Sequence, residues 1–225
     1  MERDIYSNLL NWKENNSKMP YMLIGARQTG KTYILNEFCD REFKESVYIN
    51  LDKAEDIKEI FNQTIEPEEI IRNIEANMNI NIDINQTVIF FDEIQVSERA
   101  INSLKYFCES EKPYKIVCAG SLLGVKINRF KSSFPVGKVW IDYLYPMNFS
   151  EFLKAIGEEK ILNLIEDSFN KMKPMLESTH QKALKLYYDY ICIGGMPAAI
   201  LEYIQDEKNI SKVNDDRSEE RRVGK

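Results

Sequence analysis

Metal-binding and disulfide-forming residues are scarce in this sequence. It has one histidine, His180, and four cysteines that lie far apart in the chain. A structural zinc site needs about four such ligands at short spacing, and a disulfide framework needs a short cysteine-rich chain. The sequence therefore argues against both, and it predicts a surface histidine and buried free thiols. These thiols belong to Cys39, Cys108, Cys118 and Cys192.

Long apolar runs are also missing. No stretch approaches the ~18 uninterrupted apolar residues of a membrane span, and residues 1–6 lack the apolar core of a signal peptide. We therefore expect a cytoplasmic protein that has no membrane partner. The net charge of −6 argues against a surface that binds nucleic acid throughout, although it is compatible with a local basic patch.

The chain has 225 residues, 44% of them apolar, which suffices for one sizeable core with a smaller unit beside it. Short apolar segments alternate with helical patterns, as is typical of βαβ units. Residues 88–91 are apolar without alternation, which favours a strand covered on both faces. We predict an α/β fold in which helices flank a mainly parallel sheet. The predicted strands are 21–24, 47–52, 87–91, 114–119 and 139–143, and the predicted helices are 5–12, 31–39, 54–61, 67–77 and one capped by Ser97.

The sequence pattern changes after Pro146. A helical pattern begins at Ser150 and continues nearly to Gln205, with breaks at Pro174 and Gly194–Gly195. The predicted division is an α/β domain at 1–145, a helical region that begins a truncated C-terminal domain at 146–216, and a tail at 217–225. The tail resembles a translated sequencing adapter, so we exclude it from the fold and expect the natural protein to continue beyond this chain.

Residues 25–32, called the phosphate loop below, match the pattern G-x-x-x-x-G-K-[ST] at every fixed position. Glycines let successive backbone N–H groups face an anion, and Lys31 can reach the β- and γ-phosphates. The hydroxyl of Thr32 can take one coordination position on Mg²⁺. The loop lies between an apolar strand and a helix whose N-terminal end favours negative charge. The predicted nucleotide-binding residues are Gly25, Ala26, Arg27, Gln28, Thr29, Gly30, Lys31 and Thr32.

Two acidic residues, Asp92 and Glu93, follow the apolar segment 88–91. A carboxylate at the end of a buried neighbouring strand can hold Mg²⁺ beside a phosphate loop, and we assign that role to Asp92. Glu93 is the predicted general base for an attacking water, which favours a hydrolase over a small-molecule kinase. An acidic pair that merely ends a strand is the alternative. ATP is preferred over GTP, because residues 170–173 lack the aspartate of the guanine-binding N-K-x-D pattern.

A further strand ends in a small polar residue, Ser121. Lying between the phosphate loop and the acidic strand, Ser121 can contact the γ-phosphate or the attacking water as a catalytic residue. A serine that only forms a turn explains the same position equally well. The sequence leaves these two interpretations open.

The segment Lys126–Lys138 reverses the overall negative charge, since it holds four cations and no acidic residue. One interpretation is a contact to phosphates, either of nucleic acid or of the nucleotide in a neighbouring subunit after self-association. In the second case Arg129 would act as a catalytic arginine finger. A solvated loop is the competing interpretation. The four cations are Lys126, Arg129, Lys131 and Lys138.

These motifs resemble those of prokaryotic AAA-type P-loop ATPases whose ATPase core is followed by a C-terminal domain of unknown function. The resemblance extends from Arg3 to about Asn209, and its five motifs stand in the expected order. They are the phosphate loop, Phe-Asp-Glu-Ile-Gln at 91–95, Ala-Gly-Ser at 119–121, Leu-Tyr-Pro-Met-Asn-Phe-Ser-Glu-Phe at 144–152 and Gly-Gly-Met-Pro at 194–197.

The resemblance implies an additional-strand ATPase sheet, with the sensor strand between the phosphate-loop strand and the acidic strand. It also implies ATP hydrolysis, in a family whose cellular role is largely uncharacterised. The chain departs from the family in two ways. Gly137–Lys138 stands where the family often has Gly-Arg, and lysine cannot make a forked guanidinium contact. The later C-terminal region, where a second sensor or an effector domain would lie, is absent.

The sequence thus predicts a AAA-type P-loop ATPase that binds ATP and Mg²⁺ and hydrolyses ATP. Two alternatives stay open. One is a nucleotide-gated binding module that has little turnover and signals through the missing C-terminal region. The other is a DNA-associated ATPase that works through the segment Lys126–Lys138.

Overall fold

The computed structural model describes residues 1–15, 17–121, 135 and 137–206. The chain divides into two compact units. The α/β unit is Ile5–Leu144, and the helical unit combines Met1–Asp4 with the chain from Tyr145 onward.

In the described part of the α/β unit, five strands form one sheet. They are Tyr21–Gly25 (β1), Glu45–Asn50 (β2), Thr87–Asp92 (β3), Lys115–Ser121 (β4) and Trp140–Leu144 (β5). Every strand pair is parallel and the spatial order is β2-β3-β4-β1-β5, which confirms the predicted fold class. β4 therefore lies between β1, which leads into the phosphate loop, and β3, which ends in the acidic pair, as the family resemblance implies.

Helices connect the strands of this unit at the predicted places. The described ones are Tyr6–Glu14 (α1), Lys31–Glu42 (α2), Glu55–Gln63 (α3), Pro67–Met78 (α4) and Glu98–Glu109 (α5). α2 continues about one turn past the predicted end at Cys39, and an ion pair between Arg41 and Glu37 supports that turn. The predicted cap of α5 is confirmed, because the Ser97 hydroxyl accepts from the N–H of Ala100 at 3.2 Å.

Alternating side chains of β3 belong to two different cores. Val88 and Phe90 lie in a cluster with residues of α1 and α2, whereas Ile89 and Phe91 lie in a cluster with residues of α3, α4 and α5. Because side chains of a strand alternate between its faces, Asp92 continues the row of Val88 and Phe90. It therefore lies on the face of the sheet that α2 covers, and α2 begins at the end of the phosphate loop.

The helical unit has a core of its own, to which four helices contribute among its described residues. They are Phe149–Ala155 (α6), Glu159–Lys171 (α7), Glu177–Ile193 (α8) and Pro197–Gln205 (α9). The breaks predicted near Pro174 and at Gly194–Gly195 are confirmed. The prediction missed a further break at Gly157, whose positive φ of 76° separates α6 from α7.

Gly195 has a packing role in the helical unit. A Cβ atom at this position would lie 2.2 Å from the carbonyl oxygen of Met147, so only glycine permits the approach. The approach allows the N–H of Met147 to donate to the carbonyl of Gly195 at 2.6 Å. Pro197 then occupies the first turn of α9, where its missing N–H is not needed.

The prediction of buried thiols is only partly correct. Cys39 and Cys118 are buried, and burial raises the pKa of the Cys39 thiol to about 12. Cys108 is half-buried, and Cys192 is exposed because it lies on the solvent-facing side of α8. His180 is exposed, as predicted. No helix in the described part of the chain is both long and apolar enough to cross a membrane.

Candidate functional site

The phosphate loop connects the carboxyl end of β1 with the first turn of α2. Gln28 and Gly30 both have positive φ, 64° and 93°, in the left-handed region. Alternation between right- and left-handed residues turns consecutive N–H groups toward one concavity, which suits an anion. Gly25 permits the turn, because a Cβ there would lie 2.3 Å from the carbonyl oxygen of Leu144. The buried Thr29 hydroxyl closes the loop by donating to the carbonyl of Ala26 at 2.9 Å.

Lys31 is the most unusual side chain of the loop, because it is charged and only 7% exposed. Its Nζ donates to the carbonyl oxygens of Gly25 at 3.1 Å and Ala26 at 2.7 Å. Burial lowers the pKa of Lys31, while the charges of Glu93 and Asp92 oppose the shift. The ammonium is therefore held by backbone carbonyls of its own loop, and anionic oxygens of a ligand can replace these partners.

Asp92 lies at the end of β3 and is 4% exposed. Its Oδ2 accepts from the hydroxyl of Thr32 at 3.0 Å and from the phenol of Tyr48 at 2.9 Å, and its Oδ1 accepts from the N–H of Glu93 at 2.9 Å. The structure thus brings Asp92 and Thr32 together, although they are far apart in sequence. The parallel register explains the contact of Tyr48, because Tyr48 pairs with Phe90 and its side chain points to the face that holds Asp92.

The residues present fit a magnesium ion. A hydroxyl and a carboxylate are hard oxygen ligands, and Mg²⁺ in phosphate sites uses one or two such groups together with water and phosphate oxygens. Within the described ranges, no group of three or more histidine, cysteine, aspartate or glutamate side chains could form a cage around a metal. The pair of Thr32 and Asp92 is consistent with a metal that is bound jointly by protein and substrate.

Glu93 follows Asp92 in a left-handed conformation, with φ 53°, and directly precedes the short 3₁₀ helix Ile94–Val96. A glutamate in this region is uncommon and implies a conformation imposed by its surroundings. The side-chain amide of Gln95 donates to Oε2 of Glu93. The same amide accepts from the N–H of Ser121 at 3.0 Å.

Ser121 ends β4 and pairs in register with Gly25, the first residue of the phosphate loop. The structure therefore brings Ser121 beside the loop, and its backbone N–H donates to Oε1 of Gln95. Of the segment Lys126–Lys138, three of the four cations, including Arg129, lie outside the described residues. The fourth, Lys138, forms an ion pair with Glu109 at 3.0 Å.

Sequence reasoning missed two side chains at this site, Tyr48 and Gln95. The strand pattern of 47–52 gives no sign that Tyr48 reaches Asp92, since the contact depends on the pairing of β2 with β3. For Gln95 the sequence does contain a signal. This polar residue stands within the motif at 91–95, directly after the apolar Ile94 and two residues after Glu93, to which its side chain donates.

A family model described as an AAA domain matches residues 17–153, more than half of the chain. The chain belongs to the AAA domain family. The matched range includes the phosphate loop, the acidic pair and Ser121. An uncharacterized protein of Methanocaldococcus jannaschii is 27% identical over 213 residues, which is 94% of this chain and 41% of that protein. The chain therefore spans about two fifths of the length of this curated relative.

Two solved structures share the fold of this chain. The Walker-type ATPase of Pyrococcus abyssi aligns with a TM-score of 0.53 at 14% identity, covering 95% of this chain and 70% of that one. The Hsp104–ADP complex of S. cerevisiae aligns with a TM-score of 0.51 at 14% identity, covering 88% of this chain and 29% of that one. At such identities the likeness concerns the fold alone, which is a parallel P-loop NTPase sheet flanked by helices and followed by a helical region.

Proposed function

We propose that this AAA domain protein binds ATP with Mg²⁺ and hydrolyses the bond between the β- and γ-phosphates. One observation carries the proposal: Oγ1 of Thr32 lies 3.0 Å from Oδ2 of Asp92. The hydroxyl at the end of the phosphate loop therefore lies directly beside the buried carboxylate of a separate strand. Such a pair is what a magnesium–nucleotide complex requires.

Binding of the phosphates uses the backbone of residues 25–32 and the N-terminal end of α2. The N–H groups of the loop donate to phosphate oxygens, and the end of the helix favours their negative charge. Lys31 exchanges the carbonyls of Gly25 and Ala26 for β- and γ-phosphate oxygens, which are stronger partners because they are charged.

Thr32 and Asp92 hold the metal in this proposal. A Mg²⁺ ion held there would supply positive charge to neutralise the charge that develops on the phosphates. Tyr48 supports Asp92 by donating to its carboxylate at 2.9 Å.

Glu93 is the proposed general base. It accepts a proton from water while the water oxygen forms a bond to the γ-phosphorus. The bond from the γ-phosphorus to the bridging oxygen breaks, and the electron pair leaves with ADP. Ser121 lies beside Gly25 in register and is suited to contact the γ-phosphate or the attacking water.

Phosphate release from Mg·ATP by the full chain tests the proposal, with Glu93→Gln as the decisive variant. We expect kcat to fall about 10²–10⁴-fold, the usual contribution of a general base, while ATP still binds. Chelation of Mg²⁺ with EDTA should abolish turnover. Glu98→Gln, which removes an exposed carboxylate five residues away, is the matched control. Activity that survives Glu93→Gln would reject Glu93 as the base.

A nucleotide-gated binding module is the second candidate, and the contacts of Lys31 favour it. The bonds from its Nζ to Gly25 and Ala26 must break when phosphate binds, so nucleotide binding itself rearranges the loop. Tight binding of ATP without any phosphate release would select this function over hydrolysis.

A further inference from the structure

One glutamine bridges the acidic strand and β4. Nε2 of Gln95 donates to Oε2 of Glu93, and its Oε1 accepts from the N–H of Ser121 at 3.0 Å. A carboxylate can only accept and a backbone N–H can only donate, so a single orientation of the amide satisfies both partners. The bridge needs a side chain that donates at one end and accepts at the other, which glutamate and methionine cannot do.

The local backbone fixes the place of this amide. Gln95 lies in the one-turn helix Ile94–Val96, whose first residue, Ile94, is fully buried in the core of the α/β unit. Glu93 enters that turn in the left-handed conformation. Because the two residues before Gln95 are held in this way, the Gln95 side chain has a defined origin from which to reach Glu93 and Ser121.

The bridge holds Glu93 on the side of the phosphate loop. Ser121, the other end of the bridge, pairs in register with Gly25, where the loop begins. The charges of Glu93 and Asp92 both oppose the lowering of the Lys31 pKa by burial. Gln95 thereby links the Glu93 carboxylate to the strand end that pairs with the first residue of the phosphate loop.

We propose that Gln95 is a positioning residue, which holds the Glu93 carboxylate toward the phosphate loop and ties its position to the end of β4. The inference rests on the proposed function, since it assigns Gln95 a role in the hydrolytic step through Glu93. Gln95 itself need not touch the nucleotide.

The test compares Gln95→Met with wild type in the full chain, using Mg·ATP and measuring kcat, KM and ATP affinity separately. Methionine keeps the length and removes both hydrogen bonds. We expect kcat to fall about 10–100-fold, as for a misplacement of about 1 Å in a catalytic group, with KM and affinity close to wild type. Gln95→Glu should lose as much, because it can still accept from Ser121 but repels Glu93.

The chain contains a matched control for this substitution. Gln86 is also a half-buried bridging glutamine, whose amide donates to Asp83 at 2.6 Å and accepts from Lys44 at 2.6 Å, but it stands before β3, at the opposite end of that strand from Glu93. Gln86→Met should leave kcat unchanged. The unfolding midpoints of all variants show whether a lost rate reflects lost folding.

A double-mutant cycle separates positioning from a general structural role. In the Glu93→Gln background Gln95→Met should cause no further loss, because the group that it positions has already been removed. If the wild-type chain hydrolyses ATP, either of two results overturns the positioning role alone. One is an unchanged or raised kcat in Gln95→Met, and the other is a full additive loss in the double variant. A wild-type chain that releases no phosphate overturns the proposed function and this inference together.

Discussion

The two units of the chain bury charged side chains in different ways. In the helical unit, Arg3 and Glu151 form a buried ion pair, with Nε and Oε1 2.9 Å apart. In the α/β unit, Lys31 and Asp92 are buried to a similar degree, but Lys31 binds backbone carbonyls and Asp92 accepts from hydroxyls. The first arrangement joins opposite charges directly, and the second gives each charge neutral partners.

The partners of Glu151 are all fixed parts of the fold. Its Oε1 also accepts from the N–H of Asp4 at 2.9 Å, and its Oε2 accepts from the N–H of Asn148, which caps α6, at 3.0 Å. Arg3 in turn donates to the carbonyl of Tyr145 at 2.6 Å. This network of charged and backbone partners holds the first residues of the chain and the start of α6 together.

The partners of Lys31 can be exchanged. Burial lowers the pKa of Lys31, because its charged form loses hydration that the carbonyl oxygens replace only in part. A charged oxygen of a ligand compensates for more of this lost hydration than a neutral carbonyl does. The comparison indicates that saturation of the partners, rather than burial alone, distinguishes a structural charge from one that is available for binding.

Glu151→Ala should have the largest effect on stability. It leaves the Arg3 guanidinium buried without its carboxylate, which typically costs about 3–5 kcal/mol in the free energy of unfolding. Denaturant unfolding of the full chain measures the loss. The control is Asp167→Ala, which breaks the exposed pair of Asp167 and Lys171 and should cost at most about 1 kcal/mol. Equal effects of both variants would contradict the structural role of the buried network.

Lys31→Ala should show the reverse pattern, with a large effect on function and little on stability. Loss of one charge that stabilises the transition state lowers kcat about 10²–10³-fold. The unfolding midpoint should stay near wild type or rise, because the buried ammonium is removed together with its desolvation cost. Phosphate release and denaturant unfolding check the two parts. A strongly destabilised Lys31→Ala would show that this charge, like Glu151, supports the fold.

Tyr48→Phe should have the smallest effect. It removes one of the donors to Asp92 and keeps the ring, which packs edge-to-face on Phe90. Loss of a single hydrogen bond of about 1 kcal/mol should raise the Mg²⁺ concentration for half-maximal turnover about 5-fold. Tyr33→Phe, at an exposed tyrosine of α2, is the control. An unchanged Mg²⁺ dependence would mean that Thr32 and the backbone suffice to orient Asp92.

Most of the fold was predictable, because its signals are local. Strand and helix patterns place all five strands and the helices between them, with errors mainly at element ends such as that of α2. The additional break at Gly157 was missed, because a single glycine is compatible with a helical pattern. The exposure of Cys192 was missed as well, since it depends on which face of α8 the core covers.

By itself, the sequence determined the phosphate loop, the acidic pair and the order of the elements that carry them, since the glycines, Lys31 and Asp92 are recognisable from residue type and spacing. Only the tertiary structure decided which side chains meet there. Thr32 with Asp92, Tyr48 with Asp92, and Gln95 between Glu93 and Ser121 are contacts between separate elements. They depend on the parallel register of β2, β3, β4 and β1, which no single segment of the sequence contains.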